Sequence, residues 1–204
     1  MAVEGSRADV TTACEQAAAT STYASHAWNP LFIAGQMTCA WEIWEQMGQR
    51  APGAIVCPVG QGGLLLGLAR GFTMLLDAGL IDNMPRLYGV QSTAYDSVVR
   101  AWENGSDQPD GSTQGDTVAD GIRIAQPVRG QAVMAAIGAS DGAAFRVEDE
   151  RILEARTALA LQGLFVEPTS AVAVAALPQV MDHLGDLTEI VIPLTGSGVK
   201  GIQG

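Results

Sequence analysis

The sequence predicts an α/β fold of packed layers around a parallel sheet. Residues 53–59 (GAIVCPV) and 188–194 (TEIVIPL) are short apolar runs rich in branched side chains, as in strands that are buried on both faces. Residues 85–91 (PRLYGVQ) predict a third strand and residues 144–147 a fourth, and helical segments lie between the strands. Alternation of strand and helix is typical of this fold class.

The first long helix is predicted to follow Asn29. This residue is a suitable N-cap, and Pro30 suits the first helical position because its missing N–H would have no partner there. Apolar side chains then recur every three or four residues as far as Met47, and Gly48 closes the run. The pattern predicts one continuous amphipathic helix.

Two further helices and a long loop are predicted in the second half of the chain. Acidic residues 148–150 place negative charge on the first turn of a helix that Gly163 ends. The alanine-rich residues 170–184 predict another helix, in which Pro178 indicates a kink or a break. Residues 104–119 are polar, rich in glycine and without periodicity, so we expect a loop that is mobile or part of a site.

Composition and charge exclude several classes of partner. The 204 residues are 48% hydrophobic and 16% charged, which favours a globular chain with a substantial core. The formal net charge of −11 argues against binding to nucleic acid or to an anionic membrane. A small-molecule partner remains open. With neither a signal peptide nor a long apolar span in the sequence, we expect a cytoplasmic protein.

The three cysteines, Cys14, Cys39 and Cys57, are odd in number and widely spaced. This usage favours reduced thiols and indicates neither a disulfide framework nor a metal site.

A glycine-rich segment, residues 58–67 (PVGQGGLLLG), follows the first predicted strand. Its backbone amides and the start of the next helix are able to bind an anion such as a phosphate. The dinucleotide pattern fails because Leu65 stands where the third glycine is required, and the nucleotide-triphosphate pattern fails because Leu68 and Ala69 replace its lysine and hydroxyl residue. The alternative interpretation is a tight turn that only lets a helix pack closely on the sheet.

A second glycine-rich turn, residues 195–201 (TGSGVKG), follows the apolar run 188–194. Open α/β sheets bind ligands at the carboxyl ends of their strands. Two such turns after two buried strands therefore predict one ligand site between them.

These motifs resemble those of pyridoxal-phosphate enzymes of fold type II, the tryptophan synthase β-subunit superfamily, and within it the threonine synthase family. The resemblance covers nearly the whole chain. It is carried by the order and spacing of residues 23–35 (YASHAWNPLFIAG), 58–67, 85–91, 119–130 (ADGIRIAQPVRG), 166–171 (VEPTSA) and 194–201.

The resemblance implies a pyridoxal 5'-phosphate cofactor and assigns roles to particular residues. Backbone amides of the first turn would bind the cofactor phosphate, and these belong to Gly60, Gln61, Gly62, Gly63 and Leu64. Thr195 would place its hydroxyl at the pyridine nitrogen, although a hydroxyl that caps its own turn is the simpler interpretation of that residue alone. Glu167 is a weaker candidate near the ring, because Glu-Pro before a helix is also ordinary N-terminal chemistry.

The resemblance also implies a residue that this chain lacks. The family holds its cofactor as a Schiff base on a lysine of an N-terminal segment without a counterpart here. The single lysine, Lys200, lies in the second glycine turn, so we predict no catalytic residue. Residues 1–5 look like the end of a strand. We expect residues 1–25 to be a remnant of the family's small domain and residues 26–204 the C-terminal part of its large domain.

Three functional hypotheses follow. The chain is a portion of a threonine synthase-like lyase, which converts O-phosphohomoserine to threonine and phosphate, and is inactive alone. Alternatively, it is a serine or threonine dehydratase-like half-enzyme that needs a partner chain, or a non-catalytic protein that binds a ligand or another protein. Because an incomplete sheet leaves apolar strands uncovered, we expect a homo-oligomer or an N-terminal partner chain.

Overall fold

Four parallel strands form one sheet in the computed structural model, which describes residues 4–5, 7–112, 115–185 and 189–201. The strands are β1 (Ala54–Pro58), β2 (Arg86–Ser92), β3 (Ala143–Val147) and β4 (Ile190–Val191). Their order across the sheet is β3-β2-β1-β4, with Val56 of β1 opposite Tyr88 of β2. The predicted α/β class and its parallel sheet are confirmed.

Helices cover both faces of this sheet. They are α1 (Arg7–Ala17), α2 (Pro30–Gln36), α3 (Thr38–Gln46), α4 (Gly63–Asp77), α5 (Ser97–Glu103), α6 (Gly130–Ala139), α7 (Asp149–Leu161), α8 (Pro168–Ala175) and α9 (Leu177–Leu184). Helices α2 to α6 contribute to one apolar cluster, and α7 to α9 contribute to another. None of the helices in the described part of the chain combines the length and the apolar character needed to cross a membrane.

Strand β1 shows why the apolar runs predict buried strands. Ile55, Cys57 and Val59 belong to the cluster on one face, while Ala54 and Val56 belong to the cluster on the other. Because successive side chains of a strand point to opposite faces, a strand covered by helices on both sides needs a continuous apolar run.

The fourth strand is much shorter than the predicted run 188–194. Only Ile190 and Val191 pair with β1, and residue 188 lies outside the described residues. Pro193 has no N–H to donate to a ladder, and β4 has a partner only on the β1 side within the described sheet.

The prediction of one continuous helix from Asn29 to Met47 is wrong. Asn29 does cap α2, since its Oδ1 accepts a hydrogen bond from the Leu31 amide at 2.9 Å. The helix is then interrupted at Met37, where the Thr38 hydroxyl donates to the Gly35 carbonyl at 3.1 Å. Helix α4 also crosses closely at this point, because a Cβ at Gly71 would lie 2.6 Å from the Met37 carbonyl oxygen.

Two further predictions of local structure are confirmed. Glu148 is the N-cap of α7, Asp149 and Glu150 lie in its first turn, and Gly163 adopts the left-handed conformation after the helix. The helical stretch that contains Pro178 is broken at Ala176, between α8 and α9. The predicted strand end at residues 1–5 falls mostly outside the described residues.

Candidate functional site

The first glycine turn connects β1 to α4 at the carboxyl edge of the sheet. Gly62 is the N-cap of the 15-residue helix and adopts φ +81°, which glycine accepts without strain. Within the described residues, no hydrogen bond occupies the backbone amides of residues 60–65, and no side chain caps the helix. These N–H groups and the positive end of the helix dipole form a site suited to an anion.

A second segment, residues 119–124, lies against this turn. A Cβ at Gly60 would lie 3.1 Å from the Gly121 carbonyl oxygen, so the two backbones are in close contact. The Gly121 amide donates to the Thr169 hydroxyl at 3.0 Å. Motifs 119–130 and 166–171 of the sequence analysis are therefore joined beside the glycine turn.

The Gln61 side chain forms a hydrogen bond to a neighbouring segment of the chain. Its Oε1 accepts a hydrogen bond from the Val128 amide at 3.0 Å. Arg129 follows, and its guanidinium donates to the carbonyl oxygens of Ala27 and Trp28 at 2.8 and 2.7 Å. The Gln61 side chain therefore connects the turn to Val128, and the adjacent Arg129 connects that segment to residues 23–35.

The second glycine turn follows β4 and pairs with the start of α8. The Gly196 amide donates to the buried Ser170 hydroxyl at 2.8 Å, and the Gly196 carbonyl accepts from the Glu167 amide at 3.0 Å. The Gly198 amide donates to the Phe165 carbonyl at 3.0 Å. Since β4 is the parallel neighbour of β1, the two turns leave adjacent strands at the same edge of the sheet.

Three predicted or excluded site residues lie on this second turn or against it. Thr195 is exposed, and its hydroxyl has no hydrogen bond within the described residues. Glu167 is the N-cap of α8 and packs against Gly196, where an added Cβ would meet its carboxylate. The Lys200 ammonium lies 3.8 Å from the Glu167 carboxylate and is 72% exposed.

A known protein family matches nearly the whole chain. The model of the family described as pyridoxal-phosphate dependent enzyme matches residues 1–196. The chain belongs to this family.

Its relatives include enzymes of amino-acid metabolism. The chain is 36% identical over 197 residues to the threonine synthase of Methanosarcina acetivorans, with 95% of this chain and 48% of the relative covered. It is 35% identical over 175 residues to the threonine synthase of Methanocaldococcus jannaschii, with 84% and 43% covered. Among solved structures it is similar to a threonine deaminase from T.th., with a TM-score of 0.72 and 28% identity over 97% of this chain and 62% of that one.

The chain spans about half the length of the curated relatives that it matches. The predicted resemblance, with its fold type II sheet, is confirmed, and the predicted cofactor is the one for which the family is described. The individual roles of Gly60, Gln61, Gly62, Gly63, Leu64 and Thr195 stay predictions.

The first turn fits the phosphate of the family's cofactor on three structural grounds. The amides of residues 60–65 are without partners in the described structure, a 15-residue helix starts at the turn, and Gly60 and Gly62 are buried with no side chain of their own. Beneath the turn, burial raises the pKa of the Cys57 thiol and the neighbouring Cys39 adds to this effect. A neutral thiol therefore adds no negative charge that would repel a bound anion.

Sequence reasoning gave no role to the polar residues that support the two turns. Gln91 is fully buried and Ser170 is fully buried, and both form hydrogen bonds to the backbone next to a glycine turn. The sequence did contain an indication for Gln91, because this polar residue directly follows residues 87–90 (LYGV) of a predicted buried strand. Ser170 had none, since a serine in the first turn of a helix is common.

Proposed function

We propose that this chain binds pyridoxal 5'-phosphate at the edge of the sheet where β1 and β4 end. The observation that carries the proposal is the row of amides at residues 60–65, on the N-terminus of α4, that have no partner within the described residues. Backbone N–H groups in this arrangement recognise a phosphate without a basic side chain. Gly60, Gln61, Gly62, Gly63 and Leu64 hold the cofactor phosphate in this proposal.

Thr195 is proposed to contact the other end of the cofactor. Its exposed hydroxyl follows the strand next to the phosphate turn and is available to bond the pyridine nitrogen. A neutral hydroxyl leaves that nitrogen unprotonated, whereas a carboxylate would keep it charged. Bound pyridoxal phosphate supplies the electron sink for proton removal from an amino-acid substrate.

The proposed activity is that of an amino-acid lyase most like threonine synthase, acting on O-phosphohomoserine. The identity of 35 to 36% to two threonine synthases supports this substrate class. Lys200 is the single lysine, and it is exposed and ion-paired on the second turn. The Schiff-base lysine must therefore come from another polypeptide segment. In this arrangement residues 1–25 belong to a small domain and residues 26–204 to the large domain.

A serine or threonine dehydratase is the second candidate. It is favoured by the structural similarity to a threonine deaminase, which extends over 97% of this chain. Both candidates use the same phosphate turn, so they differ in substrate and not in the site described above.

We also propose that the chain associates with a copy of itself or with an N-terminal partner chain. Leu31, Leu161 and Val199 are 74%, 85% and 64% exposed, and the described part of the chain pairs β4 on one side only. Exposed apolar side chains and a free strand edge favour association. Sedimentation that finds a monodisperse monomer at all concentrations would contradict this part of the proposal.

The test of cofactor binding is a titration of the purified chain with pyridoxal phosphate, followed by the absorbance and fluorescence of the ligand. We expect saturable binding that inorganic phosphate displaces, and a rise in melting temperature with ligand concentration. Borohydride reduction and peptide mapping should find no adduct on Lys200. The absence of saturable binding would overturn the proposal.

Activity is tested by mixing. The chain alone should show no release of phosphate from O-phosphohomoserine and no deamination of threonine. Addition of a polypeptide that spans the first half of a threonine synthase should restore one of these two reactions and so select the substrate. Turnover by the chain alone would contradict the claim that the lysine comes from elsewhere.

A further inference from the structure

Gln91 is a neutral polar side chain buried in the core at the end of β2. It has no exposed surface, and its three hydrogen bonds within the described residues go to backbone groups. Its Oε1 accepts from the amides of Val98 and Val99 at 2.9 and 3.2 Å, in the first turn of α5. Its Nε2 donates to the Val59 carbonyl at 3.3 Å.

The bond to Val59 sets the orientation of a peptide group in the phosphate turn. The Val59 carbonyl and the Gly60 amide belong to the same planar peptide, and in a trans peptide the N–H points opposite to the C=O. The amide of Val59 is also bonded to β2, because it donates to the Val90 carbonyl at 2.8 Å. Fixing the Val59 carbonyl on β2 therefore directs the Gly60 N–H away from β2.

The backbone itself does little to fix the orientation of this peptide at Gly60. A glycine allows the preceding peptide to rotate at low cost, because it has no Cβ to restrict its φ. A single buried side-chain donor is then enough to select one orientation of the peptide, since an unpaired buried carbonyl is costly.

We propose that Gln91 is a positioning residue for the phosphate site and that it acts through the Val59–Gly60 peptide. The inference rests on the proposed function of the glycine turn. Gln91 touches no ligand itself, and its removal lets the Gly60 amide turn out of the site. Its Oε1 also connects the site to the N-terminus of α5 through the Val98 and Val99 amides.

The first test compares Gln91→Met with Ser140→Ala. Methionine keeps the length of the side chain and removes both the donor to Val59 and the acceptor of the Val98 and Val99 amides. Ser140 is a matched control, because its buried hydroxyl bonds the Leu87 amide at 3.0 Å near the opposite end of the same strand. With inorganic phosphate as the probe, we expect Gln91→Met to weaken binding about tenfold and Ser140→Ala less than about twofold. Equal effects of the two substitutions would overturn the inference.

Gln91→Glu gives a readout that a purely structural role would not change. The carboxyl keeps an oxygen acceptor for Val98 and Val99, but only its protonated form can donate to Val59. Burial raises the pKa of such a carboxyl, so the donor is present at lower pH and is lost as the pH rises through that pKa. We expect phosphate affinity, relative to wild type at each pH, to recover as the pH falls. A ratio independent of pH would contradict the inference.

A failure of the proposed function can be distinguished from a failure of the inference about Gln91. A wild-type chain that binds neither phosphate nor pyridoxal phosphate overturns the proposed function. The position of Gln91 is then judged from amide hydrogen exchange, where Gln91→Met should speed exchange at Gly60 and Gln61 more than Ser140→Ala does. If Gln91→Met does not fold, the Gln91→Glu variant at low pH provides the same comparison.

Discussion

The two glycine turns follow neighbouring parallel strands, but the backbone amides of the two turns differ in their hydrogen bonding. In the first turn the amides of residues 60–65 have no partner within the described structure. In the second turn the amides of Gly196, Gly198 and Val199 donate to Ser170, Phe165 and Ser197, at 2.8, 3.0 and 3.3 Å. Both turns are rich in glycine, but three amides of the second turn are already hydrogen-bonded, whereas those of residues 60–65 have no partner in the described structure.

The elements that follow the turns reinforce this difference. The first turn opens a helix of 15 residues, and the second leads into a 3-10 turn of four residues at Gly198–Gly201. A long helix gives a positive end that favours an anion, whereas a single tight turn does not. In the proposed site the first turn therefore binds through its backbone, and the second contributes a side chain, Thr195.

The largest effect is expected from Gly62→Ala. Alanine is strained at φ +81°, and its Cβ would overlap Cγ2 of Val133 in α6. We expect a loss of about 3 kcal/mol in the free energy of unfolding, since strain and overpacking add. Urea denaturation measures this loss, and titration with pyridoxal phosphate should find no saturable binding.

Gly79→Ala is the control for backbone strain without steric contact. Gly79 has φ +68° after the other end of α4, and nothing lies within 4 Å of an added Cβ. We expect a loss of about 1 kcal/mol with cofactor binding retained. If Gly62→Ala binds the cofactor as Gly79→Ala does, the first turn is not the phosphate site.

The sequence predicts the framework of the site better than its supports. The buried strands could be read from residues 53–59 because a strand covered on both faces is apolar throughout. The position of the two turns at one sheet edge follows from parallel pairing. The contact of Gly60 with Gly121 could not be derived from composition or spacing, because residues 119–124 are brought to the turn by tertiary packing.

The wrong predictions of the fold have local physical causes. The interruption at Met37 depends on the close crossing of α4 and on the Thr38 hydroxyl, neither of which alters the apolar periodicity. The short β4 reflects a strand with one described neighbour and a proline at 193. By contrast, Pro178 restricts the backbone of its own segment, so its effect could be predicted locally. The break that it indicated is present at Ala176.

A smaller effect is expected from Ser170→Ala, which sharpens the description of the second turn. The substitution removes the buried acceptor of the Gly196 amide, and an unsatisfied buried amide costs about 2 kcal/mol. Ser197→Ala is the control in the same turn, because its hydroxyl is exposed and its bond to Val199 is long. Denaturation should separate the two variants, while affinity for inorganic phosphate stays within about twofold in both. Phosphate binding weakened about tenfold in Ser170→Ala would mean that the turns are not independent.

Thr195→Val should affect the cofactor and not the fold. Valine keeps the shape and removes the hydroxyl, and the exposed site predicts a stability change within about 0.5 kcal/mol. We expect the fluorescence maximum of bound pyridoxal phosphate to shift, with unchanged affinity for inorganic phosphate. Thr195→Ser retains the hydroxyl and should retain the wild-type spectrum. Identical spectra for the valine and serine variants would exclude contact of Thr195 with the ring.

The smallest effect is expected from Lys200→Gln, although it removes the only lysine of a pyridoxal-phosphate dependent family member. The ammonium is 72% exposed and lies 3.8 Å from Glu167, and a surface pair of this kind contributes about 0 to 1 kcal/mol. The unfolding free energy and the affinity for pyridoxal phosphate should match those of Glu167→Gln, which breaks the same pair from its other side. A loss of cofactor binding in Lys200→Gln alone would make the second turn the covalent anchor and reverse the roles assigned to the two turns.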